Sequence, residues 1–298
     1  MDIHQKISFY EKRDFGDKIN VTFAFLRQNF IPLGKSILFI AGPFILLVAV
    51  FSGIYQATVL NAGADGDAFA FTEVMTQGSL TSFLSIFVSA LLIAVVYAYL
   101  VLYVERNDYS NITVTDVWNT AKQHYLGIVL SIFVYSVLVV IGFMLLIIPG
   151  FILLAALSFI FIIQMKERIS FGDAFGRCFK LVSDNYLSTL GLIFVMSILV
   201  SIISVIITLP FTIALGVPAF FSLSQTATLS DTSGLVKAML IVLQVVSSLA
   251  SYLLYAILLI AVAFQYANLV EKKEAAGLLE SVGSIGATKE ADREDETY

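Results

Sequence analysis

Six long apolar stretches constrain this chain more than any other feature of its sequence. They cover approximately residues 32–55, 80–104, 125–148, 151–169, 187–209 and 235–266. A helix needs about 20 mainly apolar residues to cross the hydrocarbon core of a bilayer, and these stretches reach or approach that length. The composition agrees, because 59% of the residues are apolar, 13% are charged, and the mean hydropathy is +0.92. The sequence therefore predicts an all-α, polytopic integral membrane protein with six transmembrane helices.

The apolar stretches also define the domain organisation. We expect a polar N-terminal segment at 1–13, a six-span membrane domain at 14–270, and an acidic, disordered cytoplasmic tail at 271–298. Sixteen of the 17 Lys and Arg residues lie on one side of the predicted spans, and Lys237 is the exception. Because cytoplasmic segments retain Lys and Arg, both termini are predicted to face the cytoplasm.

Two dipeptides of glycine and proline mark irregular positions in the predicted spans. Pro149-Gly150 separates the third and fourth stretches and predicts a tight hairpin between them. Gly42-Pro43 lies inside the first stretch, where a proline removes one helical hydrogen bond. We therefore expect a kink in the first span.

The strongest internal pattern is a unit that occurs three times. Residues 14–30 and 170–186 align at a constant offset of 156, and residues 113–124 form a shorter third copy. Each copy carries large apolar residues at helical spacing and directly precedes an apolar stretch. The residues predicted to form these membrane-interface faces are Phe15, Ile19, Phe23, Phe30, Trp118, Tyr125, Phe171, Phe175, Phe179 and Tyr186. The pattern predicts three amphipathic helices, each followed by two spans.

All three copies open with a residue that can cap a helix, followed three positions later by an aspartate. The pairs are Asp14 with Asp17, Thr113 with Asp116, and Ser170 with Asp173. The first side chain can accept hydrogen bonds from free backbone N–H groups, and the aspartate complements the positive end of the helix dipole. We interpret all six as helix-capping residues. The alternative is a set of catalytic acids, but no paired base accompanies them.

The predicted amphipathic helices also carry cations, including Arg27, Lys122 and Arg177. Rings at the acyl boundary and cations near anionic headgroups are typical of helices that lie in a membrane interface. We therefore expect these helices to bind membrane lipids on the cytoplasmic side. A second interpretation, compatible with the first, is that they cover the cytoplasmic ends of the bundle.

Four short motifs follow one another in the second half of the chain. They are Ile147-Ile148-Pro149-Gly150-Phe151, Ser170-Phe171-Gly172-Asp173-Ala174-Phe175, Phe179-Lys180-Leu181 and Asn185-Tyr186. Over about residues 113–266, this order resembles prokaryotic membrane proteins related to the membrane domain of glycerophosphodiester phosphodiesterases. Enzyme members of that family hydrolyse their substrate in a separate soluble domain, which we do not expect here. The resemblance implies a stand-alone domain in a prokaryotic plasma (inner) membrane, with no active-site residue to carry over.

The interiors of the predicted spans lack charged residues but carry hydroxyls at helical spacing. Ser197, Ser201 and Ser204 share one face of the fifth span, and Ser247 and Ser251 lie in the sixth. Small polar residues on one face let helices approach closely and form interhelical hydrogen bonds. We predict a helix-packing role for these five serines. The alternative is that they line a polar permeation path.

Residue types needed for catalysis are sparse. We expect His4 and His124 to be ordinary interfacial residues and Cys178 to pack as a small hydrophobe. We therefore predict no catalytic, cofactor-binding or metal-binding residue, and no nucleic-acid partner. An enzyme acting on lipids would need the three recurring aspartates and His124 to converge.

These observations favour a non-catalytic membrane scaffold or accessory subunit of a plasma-membrane complex, with a membrane-organising role. Its partners would be membrane lipids and other membrane proteins. The alternative is a lipid or small-molecule transporter. It would have to work without charges inside its spans, where transporters usually place acids or bases.

Overall fold

The computed structural model describes residues 6–65, 68–106, 111–217, 221 and 234–275, and its elements there are all helices. The helices are α1 (Phe15–Ser36), α2 (Gly42–Asp65), α3 (Ala68–Glu105), α4 (Val114–Leu145), α5 (Ile147–Leu157), α6 (Ile160–Lys166), α7 (Phe171–Val182), α8 (Tyr186–Phe211) and α9 (Gly234–Glu274). A π-helical turn at Ile37–Ala41 joins α1 to α2, and another at Thr212–Gly216 follows α8.

Six helical stretches are long and apolar enough to cross a membrane. They are Phe15–Val59, Phe71–Glu105, Val114–Leu145, Ile147–Lys166, Tyr186–Gly216 and Gly234–Glu274. Helices satisfy their own backbone hydrogen bonds, as a lipid environment requires of a spanning segment. The prediction of an all-α chain with six candidate spans is therefore confirmed, and these helices indicate a multi-pass membrane protein.

The core of the bundle is built around α3. Residues 90–101 of this helix are all buried, and α3 packs against α1, α2, α4, α6 and α9. Tyr97 and Tyr99 are fully buried there, and the Tyr99 hydroxyl donates to Asn29 Oδ1 on α1 at 2.8 Å. By contrast, α4 and α8 bury little of their apolar surface and lie at the periphery.

Two of the three predicted amphipathic segments are continuous with the helix that follows them. Residues 14–30 and the span from 32 were expected as separate elements, but α1 runs to Ser36 and leads directly through the π-helical turn into α2. Likewise, residues 113–124 begin the single helix α4. Only the segment at 170–186 forms a helix of its own, α7.

The different outcomes follow from the residues at the end of each segment. The third segment ends at Ser183-Asp184-Asn185, where Asp184 adopts a φ of 66°. Ser, Asp and Asn bond to nearby backbone in non-helical conformations, and Asp tolerates this left-handed region. The aligned residues of the first segment are Arg27-Gln28-Asn29, and Arg and Gln favour a helix. Asn29 therefore lies inside α1, donating to the Phe25 carbonyl at 3.0 Å.

Glycines bring α4 and α5 close together. The chain breaks at Leu146, which has φ −160° and ψ 150°, so Pro149 lies in the first turn of α5. The predicted turn at Pro149-Gly150 is therefore displaced toward Leu146, because proline is tolerated in the first turn of a helix. A Cβ on Gly142 would lie 3.1 Å from Gly150 Cα, and a Cβ on Gly150 would overlap the Phe143 ring.

Three further boundaries differ in detail from the expectation. The predicted span at 151–169 is divided by a turn at Ser158-Phe159. The last helix, α9, continues to Glu274 and so includes the first residues of the predicted tail at 271–298. The remainder of that tail, residues 276–298, lies outside the described residues. The irregularity expected at Pro43 takes the form of the π-helical turn directly before Gly42.

We predict that Gly150→Ala lowers the free energy of unfolding by about 1–3 kcal/mol, because the added methyl group would force the Phe143 ring and α4 to shift. Denaturant unfolding in mild detergent measures this change. Gly176→Ala is the matched control, since a Cβ at Gly176 of α7 meets nothing within 4 Å. The control is expected to be neutral or slightly stabilising, since Ala favours a helix. Equal stabilities of the two variants would contradict the close approach of α4 and α5.

Candidate functional site

Most polar side-chain contacts between helices lie at one end of the bundle. There the segment before α1 contacts the ends of α3 and α9, α1 contacts the start of α8, and the end of α3 contacts the end of α6 and the start of α4. Helix α7 lies across the same end. We call this the terminal end, since the described chain begins and finishes there.

The first described residues bind the end of α3. The Lys6 amine donates to the Val104 carbonyl at 2.9 Å and to the Arg106 carbonyl at 3.0 Å. The backbone N–H of Ile7 donates to the Tyr103 hydroxyl at 2.8 Å. The two bonds from Lys6 satisfy carbonyl groups that have no partner within the helix. The polar N-terminal segment predicted at 1–13 is therefore part of the bundle from residue 6 onward.

The same segment is anchored on α9. Phe9 is buried, and its ring centroid lies 5.7 Å from that of Phe264. The backbone N–H of Arg13 donates to Asn268 Oδ1 at 2.8 Å, and its guanidinium lies 5.5 Å from the centroid of the Phe264 ring. Cation–π contact and aromatic packing thus fix the chain immediately before α1.

Arg177 of α7 forms ion pairs with two different carboxylates at the terminal end. Its Nε donates to both carboxylate oxygens of Glu167, at 3.0 and 3.1 Å, and its two terminal nitrogens bind Glu274 of α9. The Tyr266 hydroxyl also donates to Glu167, at 2.8 Å. Hydrogen bonding to Glu274 is the main reason that the pKa of Arg177 lies above its usual value. This network holds α7 against α9.

Further ion pairs join the other helix ends. Glu105, at the end of α3, lies 3.2 Å from both Lys166 and Arg168. Arg106 contacts Asp116 of α4 at 2.9 Å. Partly exposed pairs of this kind contribute little individually, but together they join the end of α3 to the start of α4 and to the end of α6.

The predicted caps differ among the three copies. Thr113 and Asp116 form a complete capping box, in which each side chain binds the backbone of the other. Ser170 accepts from the Asp173 N–H at 3.4 Å and donates to its carboxylate at 2.7 Å.

Asp14 occupies the N-cap position of α1 but makes no side-chain cap hydrogen bond, which corrects the expectation for that residue. Its carboxylate is exposed and acts electrostatically on Lys18 instead. Asp17 is also exposed, in the first turn of α1.

The residues predicted for the membrane interface remain at least partly accessible. Phe15, Phe30 and Trp118 are exposed. The half-buried members are Ile19, Phe23, Tyr125, Phe171, Phe175, Phe179 and Tyr186. On α7, neighbouring rings from Phe171 to Phe179 pack with centroid distances of 6.3 and 5.1 Å. The structure therefore leaves a partly open aromatic row on this helix.

None of the five serines predicted to pack between helices is fully buried. Ser201 and Ser251 are exposed, Ser197, Ser204 and Ser247 are half-buried, and Ser251 donates to the Ser247 carbonyl within its own helix. Larger amides form bonds between helices instead, because their longer side chains reach across. These bonds are Gln164 to Ser131 at 2.7 Å, Gln265 to Thr189 at 3.0 Å, and Gln244 to Ser52 at 3.2 Å.

Two cavities adjoin these contacts. One of about 440 Å³ lies at the terminal end and is lined by Lys180, Leu181, Ser183, Lys273 and Glu274. The other, of about 430 Å³, lies between α2 and α3 and is lined by Ser52, Tyr55, Val74, Met75, Gly78, Ser79, Thr81 and Ser82. The first has a charged lining, whereas the second is uncharged and rich in hydroxyls.

Sequence reasoning missed the carboxylates that organise the terminal end. It used Lys and Arg to infer orientation and lipid contact, but it assigned no partner to Glu105, Glu167 or Glu274. The available signal was that each acid lies near a predicted span end on the same side as the cations. The aromatic anchor Phe9 and the amide of Asn268 had no comparable signal, because their contacts join distant parts of the chain.

Within the described ranges, no group of three or more His, Cys, Asp or Glu side chains is arranged to hold a metal ion. His124 is half-buried, while His4 lies outside the described residues. Cys178 is buried, as expected for a packing residue. Comparisons with protein-family models, curated proteins and solved structures find no match to this chain.

We predict that Arg177→Gln lowers the free energy of unfolding by about 1.5–3 kcal/mol, since it leaves charge-assisted hydrogen bonds of two carboxylates unmade. Thermal unfolding in detergent measures the loss. Arg27→Gln provides the control, because Arg27 is an exposed arginine on α1. If Arg177→Gln unfolds at the same temperature as this control, the network does not stabilise the bundle.

We also predict that Cys178 resists alkylation in the folded protein. Burial raises the pKa of its thiol to about 12, with a smaller contribution from Glu167. At pH 8 the thiolate is then roughly a thousandfold scarcer than for an ordinary cysteine, and maleimide labelling slows accordingly. Labelling should become rapid in SDS, and also in a Cys178→Ala, Gly176→Cys variant, whose thiol lies on the exposed side of α7. Fast labelling of native Cys178 would contradict the packing of α7.

Proposed function

We propose that the protein is a non-catalytic scaffold or accessory subunit of a prokaryotic plasma-membrane complex. The observation that carries this proposal is the contrast between the terminal end, where ion pairs cross-link the helices, and α8, whose apolar side is largely exposed. A fixed frame with an open helix face suits a protein that holds a membrane partner.

The charged groups at the terminal end are used to join helices. Arg177 binds two carboxylates, and Asp116 accepts from Arg106 and from Thr113. Of the recurring aspartates, Asp116 thus has capping and ion-pairing contacts and Asp173 has capping contacts, while Asp17 lies exposed in the first turn of α1. This arrangement favours a structural role for these acids.

The exposed face of α8 supplies the partner surface in this proposal. Ile198, Ile202, Val205 and Ile206 are exposed along it, and Ser201 lies among them. Branched apolar residues pack well against a neighbouring helix, and a small hydroxyl residue permits close approach. The predicted serine seam would then contact a partner rather than another helix of this chain.

The membrane-organising role rests on α7. Its Phe171, Phe175 and Phe179 rings are half-buried and lie beside Arg177 and Lys180. We propose that this helix lies in the inner membrane interface, with both chain termini in the cytoplasm. The resemblance to the membrane domain of glycerophosphodiester phosphodiesterases supports the same assignment of a stand-alone membrane domain.

Photocrosslinking in native membranes tests the partner surface. We expect a benzophenone amino acid at Ile202, which is 52% exposed, to give a discrete protein adduct that mass spectrometry identifies. The same group at Met196, which is fully buried on α8, is the matched control and should give no protein adduct. Adducts to lipid alone at Ile202 would overturn the proposed subunit role.

The cavity between α2 and α3 favours a second candidate function, the transport of a neutral polar solute. Its hydroxyls come from both helices, and Gln244 extends the polar surface by donating to Ser52. An uncharged lining of this kind suits ligands that exchange hydrogen bonds rather than charge. Uptake of neutral solutes into proteoliposomes, abolished by the cavity-filling variant Thr81→Phe, would support transport. Uptake equal to that of empty liposomes would exclude it for the solutes assayed.

A further inference from the structure

The cavity between α2 and α3 lies far from the charged terminal end. Its α3 lining runs from Val74 to Ser82. Ser82 is separated from Glu105 by about 35 Å of helix, at about 1.5 Å per residue. The hydrocarbon core of a bilayer is about 30 Å thick. In the proposed topology, with the terminal end at the cytoplasmic interface, the cavity therefore lies near the outer interface, which lipid headgroups and dissolved solutes can both reach.

The lining of this cavity is uncharged and rich in hydroxyls, which belong to Ser52, Tyr55, Ser79, Thr81 and Ser82. A charged ligand would find no opposite charge in this lining, so a neutral ligand is favoured. The volume of about 430 Å³ falls within the range of about 300–1,000 Å³ that is common for small-molecule sites.

Two hydroxyls on the α3 side present acceptors to the cavity. Ser79 donates its proton to the Met75 carbonyl at 2.7 Å, and Thr81 donates to the Gln77 carbonyl at 2.8 Å. A hydroxyl has one proton but two acceptor lone pairs. These two oxygens can therefore accept hydrogen bonds from a ligand, but they have no proton left to donate.

The hydroxyls on the α2 side retain protons. Ser52 Oγ accepts from the Gln244 amide at 3.2 Å, and its own proton has no acceptor among the described residues. Within the same ranges, the Tyr55 hydroxyl has no hydrogen-bond partner. The cavity thus combines donors from α2 with acceptors from α3.

The Tyr55 ring adds an apolar wall to the cavity. It packs directly on α3 because Gly78 has no side chain, and a Cβ at Gly78 would lie 3.1 Å from Tyr55 Cε2. Val74 and Met75 extend the apolar part of the lining. An aromatic ring with a hydroxyl at its tip offers a ligand both apolar surface and a hydrogen bond.

We infer that the cavity between α2 and α3 binds a neutral polyhydroxylated group, such as a sugar. Each hydroxyl of a sugar both donates and accepts, so neighbouring hydroxyls can bind the acceptors of α3 and the donors of α2 together. The C–H groups of the sugar ring would pack on Tyr55. Ethers and ketones only accept, and they would leave the acceptors of Ser79 and Thr81 unused.

This inference rests on the second candidate function, because it names the ligand class of the same cavity. A free sugar and the sugar headgroup of a glycolipid carry the same chemistry.

Thermal unfolding of the full-length protein in a polyoxyethylene detergent, which carries no sugar, tests the inference. The probes are the methyl glycosides of glucose, galactose and mannose, and the corresponding glycosyl diacylglycerols. At ten times its dissociation constant, a bound probe should raise the unfolding temperature by about 3 °C. Sugars also stabilise proteins by exclusion from their surface, so the shift is measured relative to Thr81→Phe, in which the cavity is filled.

Two conservative variants test the hydrogen-bonding groups. Thr81→Val and Tyr55→Phe should each weaken binding by about three- to tenfold, since each removes one hydrogen-bonding group with little change in volume. Thr76→Val is the matched control and should leave the affinity unchanged. Thr76 also donates to a carbonyl of α3 at 2.8 Å, but it does not line the cavity.

The two sources of sugar give different results. A shift with the methyl glycosides would identify the sugar itself as the ligand. A shift with the glycolipids alone, and none with diacylglycerol, would identify the lipid headgroup. The inference is overturned if no probe gives a shift, or if permethylated methyl glucoside, which cannot donate hydrogen bonds, gives an equal one. Native affinity in both Thr81→Val and Tyr55→Phe would also overturn it.

Equilibrium binding needs no passage across the membrane, so this test separates the ligand from transport. Sugar binding without uptake into proteoliposomes would retain the ligand class and exclude transport. Uptake of another neutral solute without sugar binding would overturn the ligand class and retain transport.

Discussion

The structure depends on satisfying polar groups inside an apolar bundle, where an unpaired group is costly. Helices satisfy the backbone, and Tyr99 with Asn29 and Gln265 with Thr189 satisfy side chains between helices. Within the part of the chain that the structure describes, the ion pairs all lie at the terminal end. Because the ion pairs lie at one end, the rest of each helix packs through apolar surface, while charged groups determine how the helix ends are joined.

The contacts at the terminal end also fix the position of α8. Arg177 and the carboxylates that it binds keep α7 and α9 together, so the start of α8 has a defined position beside them. Lys18 of α1 also contacts the start of α8, where its amine donates to Ser188 Oγ at 3.5 Å. Contacts at the terminal end thus anchor the helix whose exposed apolar side the scaffold proposal assigns to a partner.

Sequence reasoning predicted elements well where the signal is local. The length and apolarity of the six spans, the capping box at Thr113 and the burial of Cys178 all depend on nearby residues. It failed where two segments share an apolar pattern but differ in a few residues at their ends. Asn29 and Asn185 align in the internal pattern, yet Asn29 lies inside α1 and Asn185 starts α8. The residues just before them decide this difference, since Arg and Gln continue a helix, whereas Ser and Asp interrupt one.

By itself, the sequence determined that the chain consists of apolar helices long enough to cross a membrane, because helix length and hydropathy depend on consecutive residues. Only the tertiary structure decided which polar groups meet. Glu274 reaches Arg177 across 97 positions, and Phe9 packs on Phe264. The burial of Lys18 against α8 is likewise invisible in its own segment, where the residue looks like an ordinary surface cation. Such contacts depend on how separate helices pack. The spacing of apolar residues along one helix shows which face is buried, but it does not show which helix covers that face.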